Sequence, residues 1–124
     1  MVKVLIIDDS EIIRERLSTL LGEIDNTEIV GEAACAAEGL DLVNLHNPDF
    51  IILDISLPDA SGIEALKVIK KNHPHSCVVM LTNYPYLPYR TRCMAFGADY
   101  FFDKSVEFTR TKKVLMELAN APCH

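Results

Sequence analysis

Five side chains in this sequence have the type and setting to do chemistry: Asp8 and Asp9, Asp54, Thr82 and Lys104. Each follows a short apolar run, Val2 to Ile7, Phe50 to Leu53, Cys77 to Leu81 or Tyr100 to Phe102. Three carboxylates brought together repel one another unless a cation joins them. A hard divalent ion with oxygen ligands meets that need, and Mg²⁺ is small enough to keep waters and to bridge to a phosphoryl oxygen. Lys104 would add a mobile positive charge and Thr82 a hydroxyl donor, giving a site for an anion bound together with a metal. Taken singly, each residue has a plainer reading. Asp8 and Asp9 could cap a helix, where acids favour the N-terminal dipole. Asp54 could open an ordinary turn at Leu57-Pro58, Thr82 could bond backbone at a strand end, and Lys104 could be a surface lysine. Their common placement decides between these readings.

That placement comes from the elements. Val2 to Ile7 is a β-branched apolar run suited to a strand buried on both faces. Ile13, Leu17, Leu20, Leu21 and Ile24 then recur at helical spacing. Glu28 to Ala33 reads as a second strand, Ala36 to Leu45 as a helix weakened by Gly39, and Phe50 to Leu53 as the most apolar strand. Ser61-Gly-Ile-Glu64 has the form of a capping box, with Ser61 accepting from the Glu64 amide and Glu64 reaching back; the helix it opens is closed by Pro74. Cys77 to Leu81 is a fourth strand. The stretch Tyr84-Pro-Tyr-Leu-Pro-Tyr89 leads to a short helix stopping at Gly97, and Tyr100 to Phe102 is a fifth strand. Phe108, Thr111, Leu115 and Leu118 mark a face of the last helix. Strands alternating with helices require parallel crossovers and a sheet covered on both sides. The expected fold is a doubly wound (βα)5 α/β domain with strand order 2-1-3-4-5. In such sheets ligands collect outside the carboxyl ends of the strands, where all five residues fall.

Composition fits one domain over residues 1–124. Hydrophobic residues make up 49% and charged residues 24%, a folded balance, and the formal net charge of −6 argues against direct nucleic-acid or anionic-membrane binding. The opening apolar run is too short for an export signal and ends in two aspartates, which suits a cytoplasmic protein. Cys35, Cys77, Cys93 and Cys123 lack C-x-x-C spacing, and Cys35, Cys77 and Cys93, in largely apolar sequence, read as reduced, buried thiols.

The segments Val4-Leu-Ile-Ile-Asp-Asp9, Pro48-Asp-Phe-Ile-Ile-Leu-Asp54, Leu57-Pro-Asp-Ala-Ser-Gly62, Val79-Met-Leu-Thr82 and Gly97-Ala-Asp-Tyr-Phe-Phe-Asp-Lys104 resemble, in this order, the receiver domain of two-component response regulators. The resemblance implies that Asp54 is the phosphoacceptor. It implies Mg²⁺ as cofactor, held by Asp9 directly, by Asp8 mainly through water, by Asp54, and by the Ser56 backbone carbonyl. Thr82 and Lys104 would contact phosphoryl oxygens, and Phe101 would take the place of the aromatic switch residue coupled to Thr82. The implied partners are a sensor histidine kinase or phosphotransfer protein. A homodimer would form on the face made by the fourth helix, fifth strand and fifth helix. Chemistry beyond self-catalysed phosphotransfer and autodephosphorylation is not implied.

Two departures stand out. Ser105 occupies the position where the family usually has a cis-proline, and Asn83-Tyr84-Pro85 is bulkier than the family's usual loop after the threonine. Among rivals, a pseudo-receiver used only for docking is opposed by the presence of all five site residues. An aspartyl-nucleophile phosphatase of the haloacid-dehalogenase kind needs Asp-x-Asp after the first strand, and here the order is Asp8-Asp9-Ser10. A flavodoxin-like cofactor binder needs a Gly- or Ser/Thr-rich loop there. The chain is expected to be either a stand-alone regulator or a piece of one that carries an output domain.

Overall fold

In the computed structural model, residues 1–83, 86–104 and 108–120 are described. The strands are β1 (Val2–Ile7), β2 (Thr27–Ala33), β3 (Phe50–Leu53), β4 (Cys77–Thr82) and β5 (Tyr100–Asp103), and they form one parallel sheet in the order β2-β1-β3-β4-β5. The helices are α1 (Glu11–Gly22), α2 (Ala36–His46), α3 (Gly62–Asn72), α4 (Leu87–Ala95) and α5 (Phe108–Ala119). The expected fold class and strand order are observed.

Strand periodicity divides the core in two. Leu5, Ile7, Ile51, Leu53, Val78, Met80 and Phe101 pack with α2, α3 and α4 through Val43, Leu66 and Cys93. Their strand neighbours Val4, Ile6, Phe50, Ile52, Val79, Leu81 and Phe102 pack with α1 and α5 through Leu17, Leu21 and Leu115. Because successive side chains point to opposite faces, a strand covered on both sides must be apolar at every position. That is why β3 has no polar residue until Asp54, just past its end. Gly39, which lowers the intrinsic stability of α2, has a packing reason: a Cβ there would lie 2.7 Å from Ile7 Cδ1.

Two local expectations are corrected. Ser61 does cap α3, but its hydroxyl accepts from the Ile63 amide at 3.1 Å, and Glu64 pairs with Lys67 at 3.2 Å. An exposed lysine one turn ahead competes successfully for the Glu64 carboxylate, so the reciprocal half of the capping box does not form. Pro88 also lies inside the first turn of α4 and not in the loop before it. There its missing N–H costs nothing and its fixed φ suits the helix. Tyr84, Pro85, Ser105, Cys123 and His124, on which several sequence expectations rest, lie outside the described residues.

The junction from β3 to α3 is the tightest point of the fold. A Cβ on Gly62 would sit 1.9 Å from the Asp54 carbonyl oxygen, which is backbone and cannot step aside. Gly22 has nothing within 4 Å of the corresponding position. Gly62→Ala should therefore destabilise the domain by about 3 kcal/mol or more, whereas Gly22→Ala should be neutral or stabilise it by up to about 1 kcal/mol. Urea unfolding of both variants checks this, and equal effects would show the contact at Gly62 to be relieved at little cost.

Candidate functional site

The sheet ladders carry the acids into place. Ile7 pairs with Leu53, and one bond further the Asp54 amide donates to the Ile7 carbonyl at 3.0 Å, setting Asp54 beside Asp8. On the other side Thr82 pairs with Asp103, and the Lys104 amide donates to the Thr82 carbonyl at 2.8 Å. Register alone thus brings four strand ends to one edge.

At the centre lies the Lys104 ammonium, 2.6 Å from Asp8 Oδ2 and 3.1 Å from Asp54 Oδ2. All three residues are buried: Asp8 is 0% exposed, Asp54 4% and Lys104 9%. Asp9 is exposed on the rim. Carboxylate oxygens of Asp8, Asp9 and Asp54 lie within 4.8 Å of one another, the one group among the described residues spaced to share a metal ion. Asp8 Oδ2 touches Lys104 but has no well-aligned hydrogen-bond donor among the described residues, so the contact is a charge pair. The cleft beside these groups, about 420 Å³, is lined by Asp9, Ser10, Ile12, Ile13, Asp54, Ser56, Asn83 and Lys104. Hard oxygen donors at this spacing, one of them lacking a donor, fit a small divalent cation.

Electrostatics follow from burial. Removal from water, and then the neighbouring Asp8 charge, push the Asp54 carboxyl above its usual range; Lys104 and the Ser56 amide pull it partly back. Burial alone would lower Lys104, but the close contact with Asp8, then the charges of Asp54 and Asp8 and the hydrogen bond to Asp54, more than offset that and hold it above its usual value. Cys93 is buried as expected, whereas Cys35 and Cys77 are only partly buried; burial pushes the Cys77 thiol up to about 12 and the Cys93 thiol up to about 11, so these two stay protonated at neutral pH.

The supporting shell was not foreseen. Asp8 Oδ1 accepts from the Ser10 amide at 2.9 Å, and Ser10 in turn caps α1 through the Ile13 amide. Asp8 therefore steadies the helix start through Ser10, which is the residue that caps α1 in place of the expected Asp8 or Asp9. Arg14, one turn into α1, donates to the Asp8 carbonyl at 2.7 Å and leans on Glu32 of β2 at 3.6 Å. Nothing in the local sequence distinguishes Arg14 from a solvated helix arginine. Thr82 is fully buried at the end of β4 and does not line the cleft, whereas Asn83 does. Phe101 is 6% exposed and sits in the α2–α3–α4 core. Ser56 lines the cleft, tied through its amide to Asp54 Oδ1 at 3.3 Å.

The sequence profile of the response regulator receiver domain matches residues 4–116. The chain belongs to that family. It is 32% identical over 104 residues to the response regulator GacA of Pseudomonas aeruginosa, covering 84% of this chain and 49% of that protein. It is 35% identical over 118 residues to the transcriptional regulatory protein BtsR of Escherichia coli, covering 95% and 48%. The receiver domain thus spans about half the length of the curated relatives it matches. Among solved structures it resembles the response regulator domain of Thermotoga maritima CheB, with a TM-score of 0.83 and 28% identity over 96% of this chain and 93% of that one. It also resembles the CheX–CheY–BeF3–Mg²⁺ complex from Borrelia burgdorferi, with a TM-score of 0.86 and 25% identity over 94% and 88%.

A raised Asp54 favours the protonated form in the folded state. Its contribution to stability is therefore present below the unfolded carboxyl range and lost as pH rises through the folded value. Asp54→Asn should raise the melting temperature of the metal-free receiver at pH 7, with Lys104 still held by Asp8. The gain should shrink as pH falls through the raised folded value, where the parent carboxyl takes up its proton, and vanish below the ordinary carboxyl range of about pH 4. Melting curves across that range check it; a variant less stable than the parent at pH 7 would show that Lys104 outweighs burial.

Proposed function

We propose that this receiver accepts a phosphoryl group on Asp54 from the phosphohistidine of a sensor kinase or phosphotransfer protein, in the cytoplasm, and changes a protein-interaction face in response. The observation that carries this reading is the buried Asp54 carboxylate opening on a cleft beside Lys104 and two further acids. An Asp54 oxygen bonds to phosphorus as the bond to the imidazole nitrogen breaks, and that nitrogen takes up a proton. Asp8, Asp9, Asp54 and the Ser56 carbonyl would hold Mg²⁺, which when bound neutralises charge on the transferred group. Lys104, already at hydrogen-bonding distance from Asp54, supplies a positive charge to the equatorial oxygens. Thr82 would reach the phosphoryl group by turning its hydroxyl outward, and Phe101 would follow into the space beside β4. No turnover of an external substrate is implied; the relay ends with hydrolysis of the aspartyl phosphate.

Acetyl phosphate with Mg²⁺ should place acid-labile, hydroxylamine-sensitive phosphate on the parent and none on Asp54→Asn. Stable incorporation into that variant would rule out Asp54 as acceptor.

The output face is supported by exposed apolar side chains. Tyr86 (61%), Leu87 (68%), Met94 (42%) and Tyr100 (36%) lie along α4 and β5, and Met116 (43%) on α5. Where exposed apolar side chains adjoin in one patch they mark a protein contact. A second copy of the chain would pair through this face once Asp54 is modified. Sedimentation with beryllofluoride and Mg²⁺ should show dimers of the parent and monomers of Leu87→Glu/Tyr100→Glu; a parent that stays monomeric in the presence of both would exclude the homodimer.

A further inference from the structure

Helix α2 lacks a cap of its own. Its N-cap residue, Cys35, is extended and its side chain makes no capping bond. The first helical amides instead donate to a residue far along the chain: Ala36 to Asp59 Oδ1 at 2.7 Å and Ala37 to Asp59 Oδ2 at 2.9 Å. Orphan amides at a helix start are usually satisfied by the preceding Ser, Thr, Asn or Asp. Here a carboxylate grips both from outside, favoured by the helix dipole. The two amide bonds, that of Ala37 foremost, hold the Asp59 carboxyl below its usual range even though the side chain is exposed.

Asp59 stands in the loop from Asp54 to Ser61. Near Asp54 the loop is fastened by the Ser56 amide to Asp54 Oδ1. Near α3 it is fastened by the pairing of Ser56 with Ser61 and by the Gly62 amide to the Ile55 carbonyl at 2.7 Å. Asp59, at its outer turn, ties the same loop to α2. We infer that Asp59 is a positioning residue for the acid site: its grip on α2 fixes the loop that presents the Ser56 carbonyl and the Asp54 carboxylate to the cation. This inference rests on the metal-site reading above. The loop cannot shift without uncapping α2, so the helix start and the site share one interaction.

A plain helix cap would look the same in the structure, and the test separates the two roles. Asp59→Ala removes both the cap and the tether, whereas Asp59→Ala/Cys35→Asp restores a local cap without the tether. Amide exchange on the metal-free protein reads the α2 amides from Gly39 to Val43 against those of Ser56 and Gly62. Calorimetric titration with Mg²⁺ alone reads the site. Asp59→Ala should lose protection in both places and bind Mg²⁺ about tenfold more weakly, as metal sites do when an outer supporting partner is removed. The double variant should recover α2 but neither the loop protection nor the affinity. Recovery of both by the double variant, or an unchanged loop in Asp59→Ala, would reduce Asp59 to a cap. A parent that binds no Mg²⁺ would overturn the metal-site reading, and the exchange measurement would still decide whether Asp59 holds the loop.

Discussion

The Lys104 ammonium between Asp8 and Asp54 is the interaction on which the rest of this structure depends. Two buried carboxylates at one sheet edge would repel each other and each would lose its hydration; a single buried cation answers both problems. Reaching that point requires β5 to end level with β4, and the Lys104 amide bond to the Thr82 carbonyl fixes this. The same pairing leaves the site poised, because the ammonium satisfies Asp8 only as a charge contact and a divalent cation could share the acids without displacing any backbone.

Much of the fold was legible because its code is simple. A strand covered on both faces must be mostly apolar, so β1, β3 and β4 announce themselves, and the first polar residue past each apolar run marks the sheet edge. That rule locates Asp8, Asp54 and Thr82 without any knowledge of contacts. It also explains why the limits of β3 agree with expectation while β2, an edge strand with partly exposed residues and a register shift opposite Val4 and Leu5, reads more weakly.

What the sequence hid is long-range and polar. The reach of Asp59 to α2 spans more than twenty residues and leaves no periodic trace, although the missing cap residue at Cys35 is a signal that something else must supply one. Arg14 beneath Asp8 is equally silent. The capping box failed for a related reason: Glu64 had two possible partners, and only the geometry of the α3 face shows that Lys67 wins. Burial likewise separates Asp8 from Asp9, which adjoin in sequence but differ in exposure from fully buried to exposed.

Lys104 draws the buried Asp54 carboxyl back towards ionisation against burial and the Asp8 charge. Carbon-13 NMR of the Asp54 carboxyl, titrated with pH in the metal-free parent and in Lys104→Met, addresses this pull directly. Since Lys104 is what pulls Asp54 back towards ionisation against burial and Asp8, its loss should move the Asp54 midpoint further up. An Asp54 midpoint unchanged or lowered in Lys104→Met would contradict the account.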